Sequence, residues 1–377
     1  MHTPPLASRR RWSWIVAVLA VIVAGLWTAL WYYAAAKVET TIDGWRERET
    51  KVGRIYSCAT QTVSGFPFRI EVRCTNPGVE LRTTQPPTAL KWIDLRIAAQ
   101  VYQPTRLVSE FTGPMMIGEP GRPASLVANW RRAQISVQGL PTAPERITTV
   151  FVDPSLDRLT GGGRETVFKA QRFELTGRMV EGSIMNNPVI ELALKLSGAS
   201  APAVHPATAP PFDADITAML RGLKDFSPKP WSTRLREIQA AGGRLEVTNA
   251  RLQQGDTLTV ANGELGLSPR GRLNGELRMT IANLEKLLSA LGLDRLISQQ
   301  TTPGGQLNSA FGALDRLAPG LGNIARQNAG PAVVAGLGIL GQPAELEGKR
   351  AVTLPLRFTD GVASLGPIPL GITPPLF

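Results

Sequence analysis

The chain has 377 residues, with 41 Lys and Arg against 30 Asp and Glu, a formal charge of +11, and only two His and two Cys. At 43% hydrophobic and 19% charged residues it is too apolar and too weakly charged for a disordered polypeptide, and its length allows one large domain or two ordinary ones. His2 lies in a leading polar tail and His205 in an Ala/Pro stretch, which argues against a histidine base inside a folded site and with it most catalytic triads and zinc sites.

Residues 1–11 read as a cytoplasmic tail carrying Arg9, Arg10 and Arg11, and residues 12–36 as a transmembrane anchor. No charge interrupts the chain from Trp12 to Ala36, whereas a bilayer core asks for about 20 apolar residues. Ala34, Ala35 and Ala36 before Lys37 imitate a signal-peptide cleavage site, but the apolar run is too long for a cleaved leader, so an uncleaved anchor is expected. Trp12 and Trp14 at one end and Trp31, Tyr32 and Tyr33 at the other form two aromatic belts. The three arginines keep the amino end in the cytoplasm, so the rest of the chain is translocated, and the two cysteines with the absence of any Asn-x-Ser/Thr acceptor make that compartment a bacterial periplasm at the inner membrane.

Cys58 and Cys74 flank Ser64-Gly65-Phe66-Pro67-Phe68. A hairpin centred on Phe66, pairing Ser64 with Phe68, sets Thr62 opposite Ile70, Thr60 opposite Val72, and Cys58 opposite Cys74. The expected disulfide contributes about 3 kcal/mol, less any native strain, and suits an oxidising compartment. The hairpin turn Gly65, Phe66, Pro67, Phe68 is read as capping the core with its two phenyl rings, with insertion into a headgroup layer as the alternative.

Beyond a short helical stem at 38–48, the pattern takes period two. Ile93, Leu95, Ile97, Ala99 and Val101 alternate with polar or small neighbours, as do Ala133, Ile135 and Val137, and then Ile190, Leu192, Leu194 and Leu196. Residues 37–197 are therefore a β-rich periplasmic region, and 198–211, with four prolines among alanines, an Ala/Pro-rich linker or loop. Residues 212–377 form a second α+β region that either continues the same sheet or stands as its own domain. There Ile216, Met219, Leu220 and Leu223 predict a helix after Asp213, and 232–241 a second one; strands follow near 245–247, 258–267, 273–281 and 352–358. Asn283 is expected to cap a helix through Leu284, Leu287, Leu288 and Leu291, followed by another through Leu307 to Leu317.

Reactive constellations are scarce. Gly336-Leu337-Gly338-Ile339-Leu340-Gly341 matches a dinucleotide-binding pattern, but Pro343 and Gly348 follow where a helix is required, so it reads as a buried apolar segment. Carboxylates offer the only general acid or base candidates, for instance Asp213 with Asp215, or Glu345 with Glu347; capping and a shared strand face account for them. The arginines are scattered among acids, which argues against nucleic acid and for a surface facing anionic lipid. No catalytic, cofactor-binding or metal-binding residue is expected.

Several segments resemble a known family. They are the tail and anchor, Ser64 to Arg69 between the cysteines, Gly263-Glu264-Leu265-Gly266-Leu267 through Gly271 to Leu277 and Asn283-Leu284, and Asp360-Gly361 through Leu365-Gly366-Pro367-Ile368-Pro369-Leu370. In combination they resemble an uncharacterised family of proteobacterial inner-membrane-anchored periplasmic proteins, carried as a domain of unknown function and covering nearly the whole chain. The strands around Gly263 to Ile281 more remotely resemble AsmA-like envelope proteins, a likeness that implies phospholipid handling. The fold expected is mainly β with α (α+β): one N-terminal transmembrane helix, then a large curved antiparallel sheet with a few packed helices. Its expected role is non-enzymatic, sheltering lipid or another apolar envelope component on a concave face; the alternative is an interaction scaffold for an envelope protein partner.

Overall fold

The apolar run becomes one long helix. In the computed structural model, which describes residues 7–140, 143–227, 229–284, 286, 341–366 and 368–377, α1 (Ala7–Lys51) takes in the apolar run and the stem as a single rod about 68 Å long. Glu39, Arg46, Glu47, Arg48 and Glu49 favour helix in the stem, and Gly53, at φ 80°, ends it where the chain turns into the first strand. The helix is long and apolar enough to cross a membrane. The chain divides into two units, Met1–Ala124 and Ser125–Phe377.

After α1 the first unit contains β1 (Arg54–Ser57), β2 (Thr60–Ser64), β3 (Arg69–Thr75), β4 (Gly78–Leu81), β5 (Thr88–Lys91), β6 (Asp94–Gln100), β7 (Gln103–Thr112) and β8 (Met115–Gly118). The chain moves repeatedly between two antiparallel sheets, ordered β2-β3-β6-β7 and β1-β4-β5-β8. Asp94, buried at the start of β6, accepts from Arg73 Nε at 2.9 Å and lies 3.4 Å from Arg96, so a desolvated carboxylate is paired across β3 and β6.

The second unit opens with β9 (Leu126–Asn129), β10 (Arg132–Gln138), β11 (Arg146–Val152), β12 (Ser155–Thr160), β13 (Gly163–Lys169), β14 (Arg172–Ser183), β15 (Asn186–Ala199) and β16 (Phe212–Leu220). Then come α2 (Trp231–Ala240), β17 (Arg244–Gln254), β18 (Thr257–Leu267), β19 (Leu273–Ala282), β20 (Gln342–Leu346), β21 (Lys349–Thr359), β22 (Val362–Leu365) and β23 (Ile368–Ile372). Its main sheet is ordered β10-β11-β14-β15-β16-β17-β18-β19-β21-β22-β23, with β20 added to β21, and β9-β12-β13 form a smaller ladder. Bulges interrupt the pairs β14–β15, β15–β16, β16–β17 and β17–β18, and each bends its strand and adds local twist. Leu258, Ile281 and Leu354 are among its most deeply buried side chains.

α2 lays Leu235 and Ile238 on the sheet, where they meet Leu223, Ile190, Leu220, Leu267 and Phe377. Glycine permits the return that brings it there: a Cβ on Gly222, at φ 88°, would stand 2.3 Å from Gly243 Cα. The glycines of the family-like segment have a similar cause. Gly263 and Gly275 lie two pairs apart on β18 and β19, and a Cβ on either would come within 2.2 Å of a carbonyl oxygen on the other strand.

Residues 212–220 are strand, not the predicted helix. Ala214, Ile216, Ala218 and Leu220 alternate with Asp213, Asp215, Thr217 and Met219, and pairing on both edges with β15 and β17 decides between two periods the segment satisfies about equally. Asp213 therefore caps no helix; its carboxylate accepts from the Gly198 N–H at 2.7 Å. Residues 200–211 join neighbouring strands through a short turn of helix at Pro206–Thr208, where His205 Nδ1 accepts from Ala207 N–H and Gln254 donates to Ala207 and Pro210 carbonyls. Asn283 sits at φ 58° and donates its side-chain amide to Asp256 O. The helices expected from Leu287 to Leu317 and the glycine motif Gly336–Leu340 lie outside the described residues.

Candidate functional site

The Cys58–Cys74 disulfide is present, with Cα atoms 5.5 Å apart, but the hairpin register differs from the expected one. Thr60 pairs with Thr75, Thr62 with Arg73 and Ser64 with Glu71, a shift of three residues from a hairpin centred on Phe66. The turn is longer: Arg69 N–H donates to Gly65 O at 3.1 Å, so Gly65 to Phe68 all lie in the loop and Cys74 comes opposite Gln61. Cys58 reaches its partner from just outside β2, where Ala59 N–H donates to Thr75 O at 2.9 Å.

The loop is tied to α1. The Trp27 indole N–H donates to Pro67 O and the Trp31 indole N–H to Arg69 O, each at 3.0 Å. Four residues apart, the two indoles share one face of the helix, and Trp31 is left only 7% exposed. Phe66 stands edge-on to Trp31 at 5.6 Å and stacks on Tyr32 at 6.3 Å, while Phe68 is 67% exposed. The rings thus do not cap the sheet core. Tyr33, Trp12 and Trp14 are exposed, and Arg9, Arg10 and Arg11 fall in the first turns of α1. A cleft of about 300 Å³ between α1 and the sheet tip is lined by Leu30, Ala34, Ile70, Ala99, Val101 and Pro104 among others.

Further along α1, a hollow of about 400 Å³ is lined by Trp45, Arg46, Tyr56, Trp92, Phe111 and both cysteines. Arg46 Nη2 donates to Gln61 Oε1 at 2.6 Å, whereas Arg46 Nε and Trp92 Nε1 are buried without a protein acceptor. The foot of the helix is held by Glu49, whose carboxyl the Arg54 guanidinium keeps below its ordinary range by direct hydrogen bonding.

The second unit holds a larger hollow than either of these, an apolar groove of about 690 Å³ over β11, β14 and β15. Ile147, Gly177, Met179 and Ile190 form its floor; Ile147 pairs with Gly177 and Met179 with Ile190. At Gly177 the floor is low because no side chain rises from it; a Cβ there would meet only Leu192 at 3.8 Å and Ile190 at 4.0 Å. Ile184 and Met185 in the β14–β15 turn make one wall, and Phe226 from the segment after β16 makes another.

Polar chemistry holds that wall from behind. Phe226 N–H donates to Ile184 O at 2.7 Å and Asn187 N–H to Lys224 O at 2.9 Å, clipping the segment to the turn. Arg234 of α2, with 12% of its side chain exposed, donates to the Asp225 and Ser227 carbonyls. Hydrogen bonds from the Ser227 hydroxyl, then from Lys229, hold the Asp225 carboxyl far below the usual carboxylate range. Lys229 bridges on to Glu237 at 2.9 Å.

Sequence reasoning missed Gly177, Met185 and Phe226. A usable signal was the apolar Ile184-Met185 turn, since hairpin turns are normally polar. The carboxylate pairs serve other ends: Asp215 faces Lys195 at 3.6 Å, Glu345 lies in β20 opposite Arg350, and Arg251 holds Glu347 at 3.0 Å. Among the described residues no three His, Cys, Asp or Glu side chains converge as metal ligands.

An apolar helix able to span a membrane, followed by large antiparallel sheets, defines a mainly β protein with a candidate single-pass anchor. The bacterial family described as "Uncharacterized protein conserved in bacteria (DUF2125)" matches residues 31–374, and the chain belongs to it. No curated protein matches the chain.

Proposed function

We propose that this is a non-enzymatic envelope protein, anchored once in the inner membrane with its amino end in the cytoplasm, whose periplasmic sheet binds a lipid acyl chain in the groove over β11, β14 and β15. The groove carries the reading. Its volume suits a folded acyl segment, its lining is apolar apart from Glu145, Arg146 and Ser227, and an apolar chain there gains roughly 25 cal/mol for each Å² withdrawn from water. Arg9 to Arg11 on the amino side of the span support the orientation through the excess of positive charge that cytoplasmic flanks carry.

The test uses the full chain in bilayer discs containing a phospholipid with a photoreactive acyl chain. Peptides covering 145–147, 177–190 and 226–227 should be labelled in the wild type and unlabelled in Gly177→Leu, whose new side chain fills the floor. Labelling confined to α1 would remove the lipid reading and favour the scaffold. Protease added outside intact spheroplasts should digest the sheets; protection would reverse the orientation.

A further inference from the structure

The indole hydrogen bonds fix how deep the sheet reaches. Counted from Trp12, the roughly 20 residues that cross a bilayer core end at Trp31, and Trp27 lies about one helical turn further inside. The loop bonded to both tryptophans is therefore held at or below the boundary of the lipid on the sheet side, provided α1 spans.

The loop is chemically fitted to that depth. Where water is scarce, every backbone polar group needs a protein partner. Four of the five carbonyls from Gly65 to Arg69 meet that need, those of Gly65, Pro67, Phe68 and Arg69 accepting from Arg69 N–H, Trp27, Val101 N–H and Trp31 respectively, and Pro67 has no N–H to satisfy. The indole donors, which would be costly to leave unpaired in hydrocarbon, are satisfied by the same contacts. The tip exposes Phe66, Phe68, Val101 and Tyr102, the last 70% exposed, beside Tyr32 on α1, with the polar ends of Arg69, Gln100 and Gln103 around them, a mixture suited to the headgroup boundary. Aromatic side chains of this kind favour the membrane interface.

We infer that the paired tips of the β2–β3 and β6–β7 hairpins are seated in the bilayer, a lipid-contacting foot pinned to the anchor by Trp27 and Trp31. The partner is the lipid itself, because the patch is continuous with the exposed apolar face of the span. The cleft between the foot and α1 then opens onto acyl chains.

The inference rests on α1 spanning the membrane, and the experiment separates the two. Phe68, Tyr102 and Ile93 are replaced one at a time, in the full chain, by a genetically encoded fluorescent amino acid, which leaves the disulfide intact. All three positions are exposed, and Ile93 immediately precedes β6 at its far end, roughly 20 Å from the tip. The chains are reconstituted in liposomes of phosphatidylethanolamine and phosphatidylglycerol bearing a nitroxide on one acyl chain. Positions 68 and 102 should be quenched severalfold more by the nitroxide lipid than position 93, and less by aqueous iodide. Equal lipid quenching at all three positions, in protein that floats with the liposomes, would overturn the foot while leaving the anchor. Protein that does not float would overturn the anchor, and the foot with it.

Discussion

In the first unit the hollows lie between a helix and a sheet, and their rims are held by a disulfide, two indole hydrogen bonds and an Arg–Glu pair. In the second unit the groove lies on the open face of a sheet, and its walls come from β11, the β14–β15 turn and the segment before α2. Polar bonds define the first arrangement at its rim; in the second they stand behind the wall and leave the floor apolar. The difference teaches where rigidity is placed. The first unit is braced against its long helix, whereas in the second the segment that walls the groove is clipped to the neighbouring turn.

Removing both thiols, Cys58→Ala with Cys74→Ala, should cost about 3 kcal/mol and act in the first unit alone. Hydrogen exchange should rise in residues 54–75 and stay unchanged in 144–190; a rise in both would contradict a local effect. Replacing Arg234 by Met strands two carbonyls behind the groove wall and should cost about 2 kcal/mol, with faster exchange at 224–230. Trp31→Phe keeps the ring but loses one donor at the tip, a cost of about 1 kcal/mol that should appear as lower lipid quenching at position 68.

The smallest effect is a pH dependence. Asp225 has a folded-state pKa below its unfolded value of about 3.9, so its contribution is fully present above that value and is lost as pH falls through the folded one. The melting difference between wild type and Asp225→Asn should be constant from pH 5 to 8 and shrink below about pH 4. A difference that vanished near neutrality would exclude this carboxylate as the origin.

The long apolar helix was legible because a charge-free run needs no tertiary information, and most strands because alternation survives in isolation. The disulfide was legible too, although the register proposed for it was not: periodicity does not report turn length, and a loop longer than the one assumed moved every pair by three. Residues 212–220 were misread because alanines at 214 and 218 carry little apolar weight, which let the helical spacing of larger neighbours dominate. Trp27 and Trp31, four apart on one helical face, could have disclosed the tip contact. The groove could not be read, since Gly177 is significant only for what its absent side chain leaves open, and Phe226 arrives by a fold-back that no local pattern encodes.

The most direct test is native mass spectrometry of the full chain released from bilayer discs. The account predicts that the wild type retains a phospholipid that Gly177→Leu loses, while the variant melts no lower, since a strand interior favours leucine over glycine. Equal lipid retention by the two proteins would contradict a lipid site in the groove.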